Sequence, residues 1–393
     1  MRKTINKLFL IITVISALLL TTGCDLFIKT NKGQVDQKWY MGLTYEDDNG
    51  NDTDYTIKTD GTIAAVALED GYGDEFGIIK GEEAYLNINT IIKNIDKRFY
   101  VDATNNLVMF TDATKTYKTK IGGKTINETE NTDYVISFMD GKNCYVNVKF
   151  VKKYVDFDYK VVKAEGKSPA RIVLKYTSGE KNQMTVKSNI EMRTKADYQN
   201  LIVTTLKKNT KVTVLEESGD WTKVGTDDGF MGYVPAKKLK DKETKKTDFK
   251  SDADTYTHVL MDKKISLGWN EITNLTANGN LETIIEHTKG LNVISPTWYS
   301  LSDNKGNLRS YASATYVEKA HSKGLKVWAL VNDFGTQDKA SKEYTKKVLT
   351  DTTKRENLVD NIMTNIKDYN LDGINIDFEF INKDIINSYL QFL

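Results

Sequence analysis

The sequence predicts a multidomain chain: an α+β N-terminal module, a small all-β barrel, and then four βα units, the first half of a (β/α)8 barrel. Three observations predict it. From residue 265 onward, strand-like runs alternate with helix-period runs of about 10 to 15 residues. Between residues 184 and 240, short apolar runs are separated by Gly and Asp turn signals at a spacing of about 8 to 12 residues. Earlier still, Tyr85-Leu86-Asn87-Ile88 recurs as Tyr145-Val146-Asn147-Val148.

The whole-chain numbers agree with several folded modules. The chain has 393 residues, enough for two or three domains. With 55 basic and 54 acidic residues its net charge is +1, which gives no sign of a nucleic-acid partner. No cofactor is implied.

The first 24 residues read as a targeting segment. Arg2, Lys3 and Lys7 precede an apolar core, Leu8 to Leu20, of signal-peptide length. Thr21-Thr22-Gly23-Cys24 resembles a bacterial lipobox. The resemblance implies lipidation at Cys24, a membrane anchor and an extracytoplasmic location, on the outer face of the cytoplasmic membrane or secreted. The one other cysteine, Cys144, lies in a strand-like run and reads as a small buried residue, which excludes a disulfide framework.

Residues 25–82 read as a β-rich segment of short strands and hairpins. The repeat places a duplicated α+β unit over residues 83–180, each copy a strand, a short helix and a further strand. The copies end near Leu107-Val108-Met109-Phe110 and Arg171-Ile172-Val173-Leu174. This pattern resembles the stalk-like copper amine oxidase N-terminal-like domain. No histidine precedes His258, so a copper site is not expected there.

Residues 184–240 form the small barrel. Met192-Arg193, Gly219-Asp220-Trp221-Thr222-Lys223-Val224 and Gly229-Phe230-Met231-Gly232-Tyr233-Val234 resemble the bacterial SH3-like family. The resemblance implies a cell-wall peptide as a partner. Trp221, Phe230 and Tyr233 are candidates for a contact surface, although Trp221 and Tyr233 read more readily as core. Residues 241–256, rich in Lys, Asp and Glu and poor in apolar side chains, read as a charged linker.

Residues 257–393 carry the four βα units, which point to a TIM-type barrel. Strands are expected at Ile265 to Trp269, Leu291 to Pro296, Leu325 to Val331 and Gly373 to Phe378. Helices are expected at Leu281 to His287, Ala314 to Lys323 and Arg355 to Tyr369, with Gly324 as a C-terminal cap. The fourth strand carries the chemistry. Side chains alternate faces, so Ile374, Ile376 and Phe378 suit the helical layer, while Asn375, Asp377 and Glu379 face the barrel interior. Carboxylates on an interior face are expensive without a purpose. Asp377 and Glu379 also stand only about 7 Å apart along the strand, close enough to act together. Three oxygen-bearing groups from one strand are too few for a divalent cation, so no metal is expected.

Asp372-Gly373-Ile374-Asn375-Ile376-Asp377-Phe378-Glu379 resembles the Asp-Gly-x-Asp-x-Asp-x-Glu signature of glycoside hydrolase family 18, the chitinase-like group. The resemblance implies that Glu379 is the general acid and that Asp377 positions the substrate's N-acetyl group, which acts as nucleophile in a substrate-assisted retaining mechanism. Asn375 and Asp372 take supporting roles. Asn375 stands where the common signature has Asp and looks like the subgroup acting on peptidoglycan, so a glycan of peptidoglycan or chitin type is the implied substrate. Trp269, Trp298, Tyr299 and the run Asn332, Asp333 and Phe334 lie at strand ends and are candidates to bind it. His258, His287 and His321 share no metal-ligand spacing and read as solvated or structural. The last run, Asp384 to Leu393, reads as an amphipathic helix. The expectation is therefore an incomplete barrel, inactive by itself, with a non-enzymatic wall-binding protein as the competing reading.

Overall fold

The repeat at Tyr85 and Tyr145 builds two adjacent strands of a seven-stranded sheet. Strands Glu83–Asn87 and Asn143–Asn147 pair antiparallel, with Val146 opposite Leu86 and Asn147 opposite Tyr85. Each runs directly into a short helix, Ile88–Asn94 or Val148–Tyr154. An asparagine at each junction makes this possible. The side-chain oxygens of Asn87 and Asn147 accept the backbone N–H groups of Asn89 and Lys149, both at 2.9 Å, and so cap the helices. Their amides donate to Glu75 at 3.2 Å and Glu83 at 3.0 Å, which satisfies two fully buried polar side chains.

The computed structural model describes residues 30–112, 115–250, 260–334 and 339–393; Cys24, the residues read as a targeting segment and His258 lie outside them. The chain forms two compact units, Met1–Ile95 with Phe138–Asp252 and Asp96–Ser137 with Ala253–Leu393. This division differs from the one expected. The seven-stranded sheet includes Thr62–Ala67 and Gly77–Lys80, from before residue 83. Lys80 pairs with Glu83 across a two-residue turn, and Gly81 supplies the positive φ of 62° that the turn needs. The two repeat copies also part company after their helices. The second returns to the sheet through Asp158–Val162 and Ala170–Lys175. The first continues into a separate three-stranded sheet, Phe99–Asp102, Leu107–Thr111 and Thr116–Lys120, in the second unit.

The small barrel is a second seven-stranded sheet in the order Ile202–Leu206, Ile190–Arg193, Met231–Pro235, Trp221–Gly225, Lys211–Ser218, Gly179–Val186, Leu239–Thr247. Val186, Met192, Val212, Val224 and Val234 fill its core. Its last strand corrects the linker expectation. Residues 241–247 continue the strand Leu239–Thr247, paired antiparallel with Gly179–Val186 as far as Gly179 opposite Thr247. This is an edge strand whose charged side chains face solvent, so its composition imitates a linker while its backbone pairs along one side with Gly179–Val186.

In the second unit the βα alternation is realised. The elements are β1 Leu267–Asn270, α1 Leu281–Glu286, β2 Val293–Pro296, β3 Tyr299–Leu301, β4 Leu308–Ser310, α2 Ala314–Ser322, β5 Lys326–Asn332, α3 Lys339–Leu349, α4 Thr352–Asp368, β6 Gly373–Asp377 and α5 Ile386–Phe392. Strands β1, β2, β5 and β6 are parallel and adjacent in that order. The hairpin β3–β4, not anticipated from sequence, extends alongside β5, with Tyr299 opposite Val331. Helix α2 closes at Gly324, whose φ of 74° suits a C-terminal cap. Ile294, Val327, Ala329 and Val331 form a continuous core with Val317, Leu358 and Ile362 of the helices, and Ile374, Ile376 and Phe378 pack against it.

The three-stranded sheet of residues 99–120 belongs to this same unit and meets α4 and α5. Asp102 accepts the Thr352 N–H at the start of α4 at 2.6 Å, and Asn105 bonds both Asp102 and Asp351 at 2.9 Å. Tyr100 and Ser388 share a hydrogen bond of 2.8 Å, and the Arg355 guanidinium lies 5.1 Å over the Tyr100 ring.

Candidate active site

Strand register decides which side chains meet. Trp328 is opposite Gly373, Leu330 opposite Asn375, and Asn332 opposite Asp377, so these six share one face of β5 and β6. On β1 and β2, Trp269 is opposite Ser295. The Asn375 Nδ2 donates to Ser295 Oγ at 3.3 Å, which places Ser295 on that face as well. The other face is the helix-packed core, where Phe378 stacks on Phe392 of α5 with ring centroids 5.4 Å apart. The alternation read at Ile374 to Glu379 is therefore realised as far as Phe378, and Glu379 lies beyond the strand. Gly373 is required by this packing, because a Cβ there would stand 2.9 Å from the Trp328 indole.

Asp377 ends β6 half-buried, and Glu379 follows two residues later, exposed. A buried carboxylate governs the backbone at this point. Asp333, fully buried just after β5, accepts the Glu379 N–H at 2.8 Å, the Phe380 N–H at 3.1 Å and the Thr345 hydroxyl of α3 at 2.9 Å. Sequence reasoning took the run Asn332-Asp333-Phe334 as a strand-end candidate and gave Asp333 no role of its own. The available signal was a carboxylate at the C-terminal end of an apolar strand.

The remaining candidates separate. Trp269 is 70% exposed at the C-terminal end of β1, well placed to stack on a sugar ring. Asn332 is buried beside Asp377 in register, and Phe334 is half-buried beyond it. Trp298 and Tyr299 depart from expectation, because both turn into the core. The Trp298 Nε1 donates to Asn278 at 2.8 Å and its ring meets Tyr316 edge-on at 5.1 Å, while burial pushes the Tyr299 hydroxyl far above its ordinary value. Tyr299 opens the hairpin β3–β4 and Trp298 precedes it, and with both fully buried neither ring is left at a strand mouth.

Asp372 also lies away from the acids. It sits before β6, five residues and about 16 Å from Asp377 along the strand. Its carboxylate accepts the Val327 N–H at 2.8 Å, stands 2.8 Å from His321 Nε2, and meets Lys326 Nζ at 3.3 Å. Burial opposes its ionisation, but these partners outweigh burial and hold its carboxyl below the usual value. Asp372 therefore ties β6 to β5 and α2 at their opposite end, and His321 has a structural place. His287 bonds its own helix, through Thr283 O at 2.7 Å. Among the described residues no group of three or more His, Cys, Asp or Glu is arranged to hold a metal ion.

In the first unit, Cys144 is buried, and burial pushes its thiol up to about 12. The small barrel inverts the expectation for its aromatics. Phe230 is the buried ring, packed 4.2 Å beneath the Arg171 guanidinium. Trp221 and Tyr233 are half-exposed, and Trp221 meets Tyr198 edge-on at 4.8 Å.

Comparison with known proteins agrees with the two motif-bearing regions. Residues 273–393 match the model of the glycosyl hydrolases family 18, and residues 188–240 match that of the bacterial SH3 domain. Solved structures similar to part of the chain include the C-terminal domain of a putative chitinase from Desulfitobacterium hafniense, at 22% identity and a TM-score of 0.28 over 33% of this chain and 40% of that one. The spore cortex-lytic enzyme SleL from Bacillus megaterium is 21% identical, with a TM-score of 0.26 over 32% of this chain and 29% of that one. SleL from Bacillus cereus is 16% identical, with a TM-score of 0.28 over 33% and 30%. The chain thus spans well under half the length of each. No curated protein matches it.

Proposed function

We propose that residues 260–393 form the acid-bearing part of a glycoside hydrolase site for N-acetylglucosamine-containing glycan of the bacterial envelope, peptidoglycan or chitin-like. The observation that carries this reading is the register that puts Trp269, Ser295, Asn332, Asn375 and Asp377 on one face, with Glu379 two residues beyond at the strand mouth.

In the proposed reaction the Glu379 carboxyl gives its proton to the glycosidic oxygen as the C1–O bond breaks. Asp377 accepts a hydrogen bond from the acetamido N–H of the substrate and turns its carbonyl oxygen toward C1. That oxygen closes on C1 from the opposite face, forming a cyclic oxazolinium. Water then attacks C1 and yields its proton to the Glu379 carboxylate, opening the ring with net retention. A protein nucleophile is unnecessary, which suits two acids projecting from one strand. Asn375, tied to Ser295, leaves Asp377 without a second carboxylate beside it on the strand.

The sequence expectation is an inactive chain; because Asp377 and Glu379 both stand on the one pocket wall that the four parallel strands offer, the proposal here is weak turnover rather than none. Glu379→Gln should lower that turnover by about 100-fold or more. Glycan binding with no turnover in either protein would favour the non-enzymatic wall-binding reading, for which the exposed Trp269 is equally suited.

Two further assignments belong to the same proposal. Trp221 and Tyr198 in the small barrel offer a half-exposed aromatic edge for a cell-wall peptide. Cys24 is lipidated and anchors the chain outside the cytoplasmic membrane, with the stalk-like unit as a spacer.

A further inference from the structure

We infer that Asp333 is the positioning residue for the catalytic acid, an inference that rests on the reading of Glu379 given above. Glu379 lies beyond the last residue of β6, so no strand pairing fixes its backbone. Its N–H and that of Phe380 instead donate to the two oxygens of one carboxylate, at 2.8 and 3.1 Å. That carboxylate is 0% exposed and is itself held by the Thr345 hydroxyl at 2.9 Å.

A buried charge with three donors is a strong, directional anchor. Left without them it would be costly to bury, so the donors and the acceptor hold one another in place. The consequence is geometric. Two successive N–H groups aimed at one carboxylate define the plane of the chain at Glu379, and hence the direction in which its side chain leaves. The opposite face of this turn is closed by Phe378, stacked on Tyr389 at 6.2 Å and on Phe392 at 5.4 Å. Asp333 therefore does for the acid what β5 pairing does for Asp377: it sets the backbone from which the carboxyl reaches.

The test uses the full chain and two variants. Asp333→Asn keeps the shape but turns one acceptor into a donor facing an N–H; Thr345→Val keeps the charge and removes its third partner. Two readouts are taken: hydrogen exchange at the Glu379 and Phe380 amides, with the α4 amides as a folding control, and hydrolysis of an N-acetylglucosamine oligosaccharide. For Asp333→Asn the expected result is exchange about tenfold faster or more at those two amides, with the α4 amides unchanged. Its kcat should fall about 10- to 100-fold, with KM within about threefold, as misplacement of a reacting group predicts. Thr345→Val should move both readouts the same way by less. Unchanged protection at the two amides overturns the proposal, and so does unchanged kcat in Asp333→Asn where Glu379→Gln has lost activity. Wild-type turnover in Glu379→Gln overturns both this proposal and the acid reading.

Discussion

Glu379 and Asp377 divide their work by where β6 stops. Asp377 is held in the sheet opposite Asn332, while Glu379 stands outside it on a turn anchored by Asp333. Gly373, five residues before the exposed acid's neighbour Phe378, serves the same strand by admitting the Trp328 indole against its backbone. Replacing Gly373 with Ala should overpack this contact and destabilise the second unit by about 1–3 kcal/mol, read as a lower thermal transition of that unit. An unchanged transition would show that Trp328 moves aside freely. The face assignment of Ile374 to Asp377 was legible in the sequence, because a period of two is a local property of a strand; the turn that carries Glu379 was not. The fate of Trp298 and Tyr299 was not. Tyr299 opens a hairpin, with Trp298 just before it, whose pairing with β5 depends on residues about thirty positions away, and no local pattern says which way they turn.

Among the elements, α4 owes its start to residues distant in sequence. Asp351 is its N-cap, and Asp102 accepts the Thr352 N–H from the three-stranded sheet. Burial opposes ionisation of both carboxyls, but the hydrogen bonds from Thr352, Asn105 and Lys354 outweigh it and hold them below the usual value. Asp372 is lowered in the same sense. A carboxyl lowered in the folded state stabilises fully above its unfolded value near 3.9, and that contribution disappears as pH falls through the folded value. The second unit should therefore lose stability on acidification below about pH 4. Asp102→Asn should lower its stability at neutral pH and flatten that acid-side loss; a pH–stability curve parallel to the wild type would refute the assignment. The helix itself was foreseeable from Leu358, Ile362 and Ile366. Its partner was not, since the 99–120 sheet was read as the end of a repeat. The Lys-rich strand Leu239–Thr247 escaped for a related reason: an edge strand with its side chains in water carries no apolar period.

Across the whole molecule, the chain combines a unit built on the Asn87 and Asn147 capped repeat with the SH3-like barrel, and a unit built on parallel βα pairs. The order of the βα elements was readable because each pair is contiguous in sequence. The excursion of residues 96–137 into the second unit was not, because nothing local distinguishes it from the repeat copy that stays. The proposed anchor belongs to this scale: Cys24→Ala should release the protein from the membrane fraction of the expressing cell, and unchanged membrane association would contradict lipidation at that site. The central claim is that Glu379 is an acid that cleaves glycan. Its most direct measurement is the rate at which the full chain and its Glu379→Gln variant hydrolyse an N-acetylglucosamine oligosaccharide under the same conditions. The account predicts weak turnover by the full chain that falls about 100-fold or more in the variant. Equal rates in the two proteins would contradict it.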